Sequence, residues 1–235
     1  EENPVTGEKL DYREVAAQLE AIRTEYEGED FTVHVIGFAK IVGDISDGAK
    51  SVVWFFLVAL VVTAILLYLY SRSIWLTVLP LVCSMVAVIW QMGTLSLLGY
   101  SLDPMNILTP FLIFAIGVSH GVQKISAWTV EKEFGGRTPD EWAAEGVTSV
   151  NLIPRRSPMH GSRETIKKLL APGVIALVSD TSGFLTILFI QIRIIQELAI
   201  TASVGVAVII LTNLVLLPVL LSWVQLRNPG RYRQR

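Results

Sequence analysis

Two ionisable side chains stand where hydrocarbon is expected. His120 lies in AIGVSHGVQK and Asp180 in ALVSDTSGFL, each inside a long apolar run. Ionisable groups at such depth are costly, face the protein interior and mark functional pathways. An imidazole, with an ordinary pKa near 6.5, loads and unloads protons around neutrality. A carboxylate close by favours its charged form. A histidine and an aspartate on adjacent antiparallel helices therefore read as a proton relay. The alternative is a static hydrogen-bonded pair that fixes helix register. Around His120, the residues Gly117, Gln123 and Lys124 share its face at about 100° per residue, with Ser119 and Ser126 flanking. Ser119 and Gln123 thus join His120 and Asp180 as candidate relay residues, and Lys124 is placed to snorkel to the membrane boundary.

Other chemistries fit the residues poorly. Adjacent helical side chains point about 100° apart, so Ser119 and His120 cannot form the hydrogen bond of a nucleophile and its base. His34 is expected outside the cell, His120 within the membrane and His160 inside the cell, so they cannot converge on one metal ion. No Gly-rich phosphate loop of the Walker type occurs, so transport by this chain is not driven by its own ATP hydrolysis. A single cysteine, Cys83, excludes a disulfide framework. Neither an enzyme nor a nucleic-acid binder is expected, and no cofactor beyond the proton as coupling ion.

The elements that position these groups are membrane helices. The 235 residues are 52% hydrophobic and only 17% charged, with a mean hydropathy of +0.54, against roughly 25% charged in soluble domains. A helix needs about 20 apolar residues to cross a bilayer. Spans are predicted at about 52–70, 74–98, 105–128, 169–190 and 198–221. His120 falls in the third and Asp180 in the fourth. Gly117 and Gly121 form a GxxxG step that lets another helix approach closely. Gly183 and Gly205 are predicted to pack in the same way.

Residues 1–48 have a different character, with an amphipathic helix from Leu10 to Tyr26 and a short strand, Phe31–Ile36, stopped by Gly37. A helix and a strand are too little to bury a core, so this piece reads as the end of a larger α+β domain. The expected fold is thus all-α membrane, a five-helix bundle over 49–225, with an N-terminal α+β fragment and a basic tail, 226–235. Between the third and fourth spans lies a polar loop, 129–168, whose Asn151–Gly161 stretch is punctuated by Pro and Gly.

Charge sets the orientation. The turn at Ser71–Ser73, the 129–168 loop and the tail carry one, seven and four Lys/Arg. The opposite turns carry none and one, so the first set is expected in the cytoplasm. Residues 1–50 hold twelve Asp/Glu and five Lys/Arg and are expected outside. The predicted location is a bacterial inner membrane, N-terminus periplasmic and C-terminus cytoplasmic.

In order and spacing, VIGFAKIVGDI, YLYSRSIWLTVLPLV, AIGVSHGVQ, SDTSGFLTILF and GVAVIILTNLVLLPVLLSW resemble the resistance-nodulation-division (RND) superfamily, in its MMPL-like exporter branch. The resemblance is to helices two to six of one six-helix half, the unit called the sterol-sensing domain in Patched-like relatives. It implies a proton-motive exporter of hydrophobic or amphiphilic cargo, with lipid as a candidate. It also implies that residues 1–48 close a periplasmic porter domain. Helix one, the rest of that domain and a second half would be the partners, and the chain alone would be transport-incompetent. Many relatives carry Asp-Tyr where Ser119-His120 follow Gly117-Val118. His120 and Asp180 are therefore candidates by chemistry rather than by motif. The alternative function is a lipid-binding regulatory module of the sterol-sensing type.

Overall fold

The computed structural model describes residues 12–28, 32–100, 106–147, 153 and 155–225. The chain divides into two units, 1–58 and 59–235, and the long helix α2 (Phe38–Ser71) runs from the first into the second.

In the first unit, α1 (Tyr12–Tyr26) packs on the start of α2. The contact is close because Gly43 has no side chain: a Cβ there would lie 2.2 Å from that of Ala16. Lys40 Nζ, 2.9 Å from Glu20 Oε2 and 3.0 Å from Asp44 Oδ1, ties the two helices. The bond from Lys40 holds the Glu20 carboxyl below its ordinary range, and the bond to Glu20 raises the Lys40 ammonium. The predicted strand does not form over residues 32–36, which take no regular secondary structure; Phe31 lies outside the described residues. A strand needs a neighbour to take up its N–H and C=O groups, and no strand longer than an isolated bridge residue, Gly28, occurs among the described residues. The α+β character expected of 1–48 is therefore not seen; one helix, an irregular segment and the start of α2 are.

The second unit is helical. After the membrane-length part of α2 come α3 (Ile74–Leu97), α4 (Thr109–Glu133), the short α5 (Pro139–Ala144), α6 (Pro158–Thr186) and α7 (Arg193–Ile209). A π-helical segment, Ile210–Leu216, continues α7 into α8 (Leu217–Leu221). Five helices among the described residues are long and apolar enough to cross a membrane. Two of the polar boundaries differ from expectation. The third apolar run stays helical to Glu133, and α6 begins at Pro158, so the stretch between these helices is far shorter than 129–168. The reason is local. Ser157 caps α6, its Oγ accepting from His160 N at 3.2 Å, and Pro158 supplies a first-turn residue that has no N–H to lose.

Helices α3, α4 and α7 form the centre. Leu76, Leu79, Cys83, Ile125, Trp128, Leu217, Leu221 and Val224 make a buried cluster toward the end where α3 begins and α4 ends. Between lipid-solvated helices the hydrophobic effect does not drive association, so contact depends on packing and on hydrogen bonds. The glycines supply the packing: Gly117, Gly121 and Gly205 all face neighbouring helices at distances no side chain could keep.

Candidate functional site

Gly117 and Gly121 let α4 settle against α3 and the π segment. A Cβ on Gly117 would stand 2.8 Å from Ser84 Oγ and 3.4 Å from Asn213 Nδ2. One on Gly121 would stand 2.6 Å from Pro80 Cβ and 3.4 Å from Asn213 Oδ1. Gly205, on α7, receives Ile113 from α4. Gly183 behaves otherwise: nothing lies within 4 Å of its Cβ position, so it makes no close helix approach within this chain.

His120 belongs to the same stripe and is buried, with 8% of its surface exposed and no hydrogen-bond partner on Nδ1. Asp180, on α6, is exposed. It sits in an open groove of about 380 Å³ lined also by Ile116, Ser179, Gly183, Phe184 and Ile187. No hydrogen bond or ion pair joins the two. Asp180 shares its groove with Ile116, which lies one turn before His120 on α4.

Ser119 and Gln123 fall away from the pair; both are exposed. A three-residue step along an α-helix turns back by about 60°, so from Gly117 through His120 the next step carries Gln123 out of the crossing. Lys124 also departs from its predicted role. Only 2% exposed, it donates from Nζ to the Leu169 carbonyl on α6 at 3.1 Å. Leu169 lies three residues before Pro172 in α6. Its carbonyl oxygen accepts a buried ammonium that would otherwise have to reach the boundary.

Ser84 and Asn213 stand outside the predicted relay. Both are fully buried, and Ser84 Oγ and Asn213 Oδ1 have no partner. The available signal was position: a serine and an asparagine deep in otherwise apolar spans.

Residues 50–135 match the Patched family, described as Patched SSD. That stretch is similar to a sterol-sensing domain, a unit found in RND-type and MMPL-like membrane proteins. The match covers roughly a third of the chain. It takes in the membrane-length part of α2 with α3 and α4, and so includes Ser84, Gly117, His120 and Gly121. Asp180 and Asn213 lie beyond it. No curated protein matches the chain.

Proposed function

We propose that the chain is the membrane core of a proton-coupled RND-type exporter of hydrophobic or amphiphilic cargo, with His120 and Asp180 exchanging a proton between α4 and α6. One observation carries the reading: a buried imidazole with an open Nδ1 lies one turn along α4 from the groove that holds the Asp180 carboxylate. Charging His120 strengthens its attraction to Asp180 and discharging it weakens it, so α4 and α6 acquire two preferred packings. Asp180 stands at an open groove with small neighbours, Ser179 and Gly183, which leaves α6 room to turn the carboxylate inward.

The test is proton entry into proteoliposomes holding the chain as part of the full-length transporter, under an imposed pH gradient and followed with an enclosed pH dye. His120→Ala and Asp180→Asn are each expected to lower the protein-dependent rate at least tenfold. Unchanged rates in both variants defeat the relay.

A second reading has its own observation. Leu60, Val61, Ala64, Ile65, Tyr68, Ile74, Thr77 and Val78 line an almost wholly apolar groove of about 370 Å³ between α2 and α3. A regulatory module that accommodates a lipid would use such a surface, and the sterol-sensing-domain match is compatible with it. Photolabelling of this groove by a lipid probe, undisturbed in His120→Ala and without proton flux, favours that reading.

A further inference from the structure

The buried polar atoms around the α4 stripe have a pattern that packing does not explain. Ser84 Oγ on α3, Asn213 Oδ1 on the π segment and His120 Nδ1 on α4 are all enclosed and all unpartnered. Ser84 and Asn213 are fully buried. Two of the three atoms are aimed at one place, since Ser84 Oγ lies 2.8 Å from the Cβ position of Gly117 and Asn213 Oδ1 lies 3.4 Å from that of Gly121. His120 precedes Gly121 on the same helix. A buried polar group without a hydrogen bond is costly, and two such atoms at the Gly117–Gly121 crossing, with a third on the adjoining His120 of α4, are a burden for a structure that gains nothing by them.

The backbone adds a second sign. Asn213 is carried by seven residues of π-helix, Ile210–Leu216, a form seen mostly as single turns and frequently at functional sites. Its amide makes only a long contact, Nδ2 to Thr212 Oγ1 at 3.5 Å. The wide turn sets Asn213 between Gly117 and Gly121, where a regular α-helix would put a different register.

The donor set decides what belongs there. Hydroxyl, amide and imidazole both donate and accept, and no carboxylate is among them. A metal cation would bring an unpaired charge into a low-dielectric interior at high cost. Water needs two to four polar partners, which these groups supply. Toward the opposite end the polar set stops. Ile113, fully buried, seats its Cδ1 2.6 Å from the Cβ position of Gly205. Gln91, whose side-chain amide also lacks partners, touches Gly205 from α3. Along α3, Gln91 is about 10 Å from Ser84 at 1.5 Å per residue.

We propose that the Gly117–Gly121 crossing is a buried hydration site, in which Ser84, Asn213 and His120 hold water that carries protons to and from the imidazole, sealed toward Gln91 by Ile113 against Gly205. The inference rests on His120 as the titrating group.

The experiment is magnetisation transfer from water to ring-15N-labelled histidines of the full chain in lipid nanodiscs, with the exposed His34 and His160 as references. Water protons are expected to reach His120 within about threefold of the reference rates. Ser84→Ala with Asn213→Leu is expected to slow that transfer at least threefold, and Ser84→Ala alone to slow it measurably without the larger packing change. Ser203→Ala is the control, because that buried hydroxyl already donates to Ala199 O at 2.7 Å, and it is expected to change nothing. Absent transfer to His120, transfer unaffected by the double variant, or a sodium-dependent His120 signal without water contact overturns the proposal. Absent transfer at a His120 that still supports proton flux removes the hydration site and leaves the relay; water at His120 together with full flux in His120→Ala removes the relay and leaves the site.

Discussion

At the scale of single residues, burial separates groups that look alike in the sequence. His120 and Gln123 are three residues apart, and one is enclosed while the other is exposed. Lys124 illustrates how an interior charge is accommodated: its partner is a backbone carbonyl beside Pro172 rather than a carboxylate. Lys124→Met removes that donor and the hydrogen bond that ties α4 to α6, at a cost of about 1.5–3 kcal/mol for a bond from a charged group. Hydrogen exchange should therefore accelerate in α6 around residues 169–173 and stay unchanged in α3. Uniform exchange in both helices would mean that the bond contributes nothing. Acidic residues act similarly at the end of α4. Glu131 and Glu133, both buried, draw in Lys168, Arg156 and Arg155. That pairing accounts for the RR of PRRSP, which carries no readable purpose in the sequence.

At the scale of elements, the glycines divide into two kinds. Gly121 meets Pro80, whose ring cannot rotate away, so Gly121→Ala overpacks the α3–α4 crossing at about 1–3 kcal/mol. Gly183 meets nothing, and Gly183→Ala should gain the better helix propensity of alanine, up to about 1 kcal/mol. Thermal unfolding in detergent separates them: a lower midpoint for the first and an equal or higher one for the second. The same midpoint shift in both would contradict the packing assigned here. The five apolar runs were legible in the sequence because about 20 residues of hydrocarbon-compatible chain admit little else. The partners of each helix face were not, because small residues occur at Gly121 and Gly183 alike and only tertiary packing distinguishes them. The π segment was equally hidden, since nothing in ILTNLVL separates a π turn from an α turn. The strand expected at Phe31–Ile36 failed for a related reason: alternation marks a face, whereas a sheet requires a neighbour.

At the scale of the whole molecule, the two units respond to different variables. In the first, the Glu20 carboxyl is held below its ordinary value of 4.5, first by the bond from Lys40. The folded form therefore binds that proton less readily than the unfolded chain. Its contribution is present above about pH 4.5 and is lost as pH falls through the lowered folded value. Amide hydrogen exchange in α1, corrected for its intrinsic pH dependence, should rise below pH 4 in wild type, and Glu20→Gln should show the raised exchange already at pH 7. In the second unit, the polar connection between α4 and α6 is held by the carboxylates of α4. Glu131 lies over the turn at Gly136, whose φ of +91° suits glycine. Glu131→Gln with Glu133→Gln should expose residues 134–157 to protease at least several-fold faster while the helices stay protected.

The relay requires the Asp180 charge to govern the protonation of His120 inside the bundle. The direct measurement is the pH titration, from 5 to 8, of ring-15N histidine signals in lipid nanodiscs for wild type and Asp180→Asn. A displaced midpoint for His120, with His34 and His160 unmoved, is the predicted result. Superimposable His120 curves in the two proteins would contradict it.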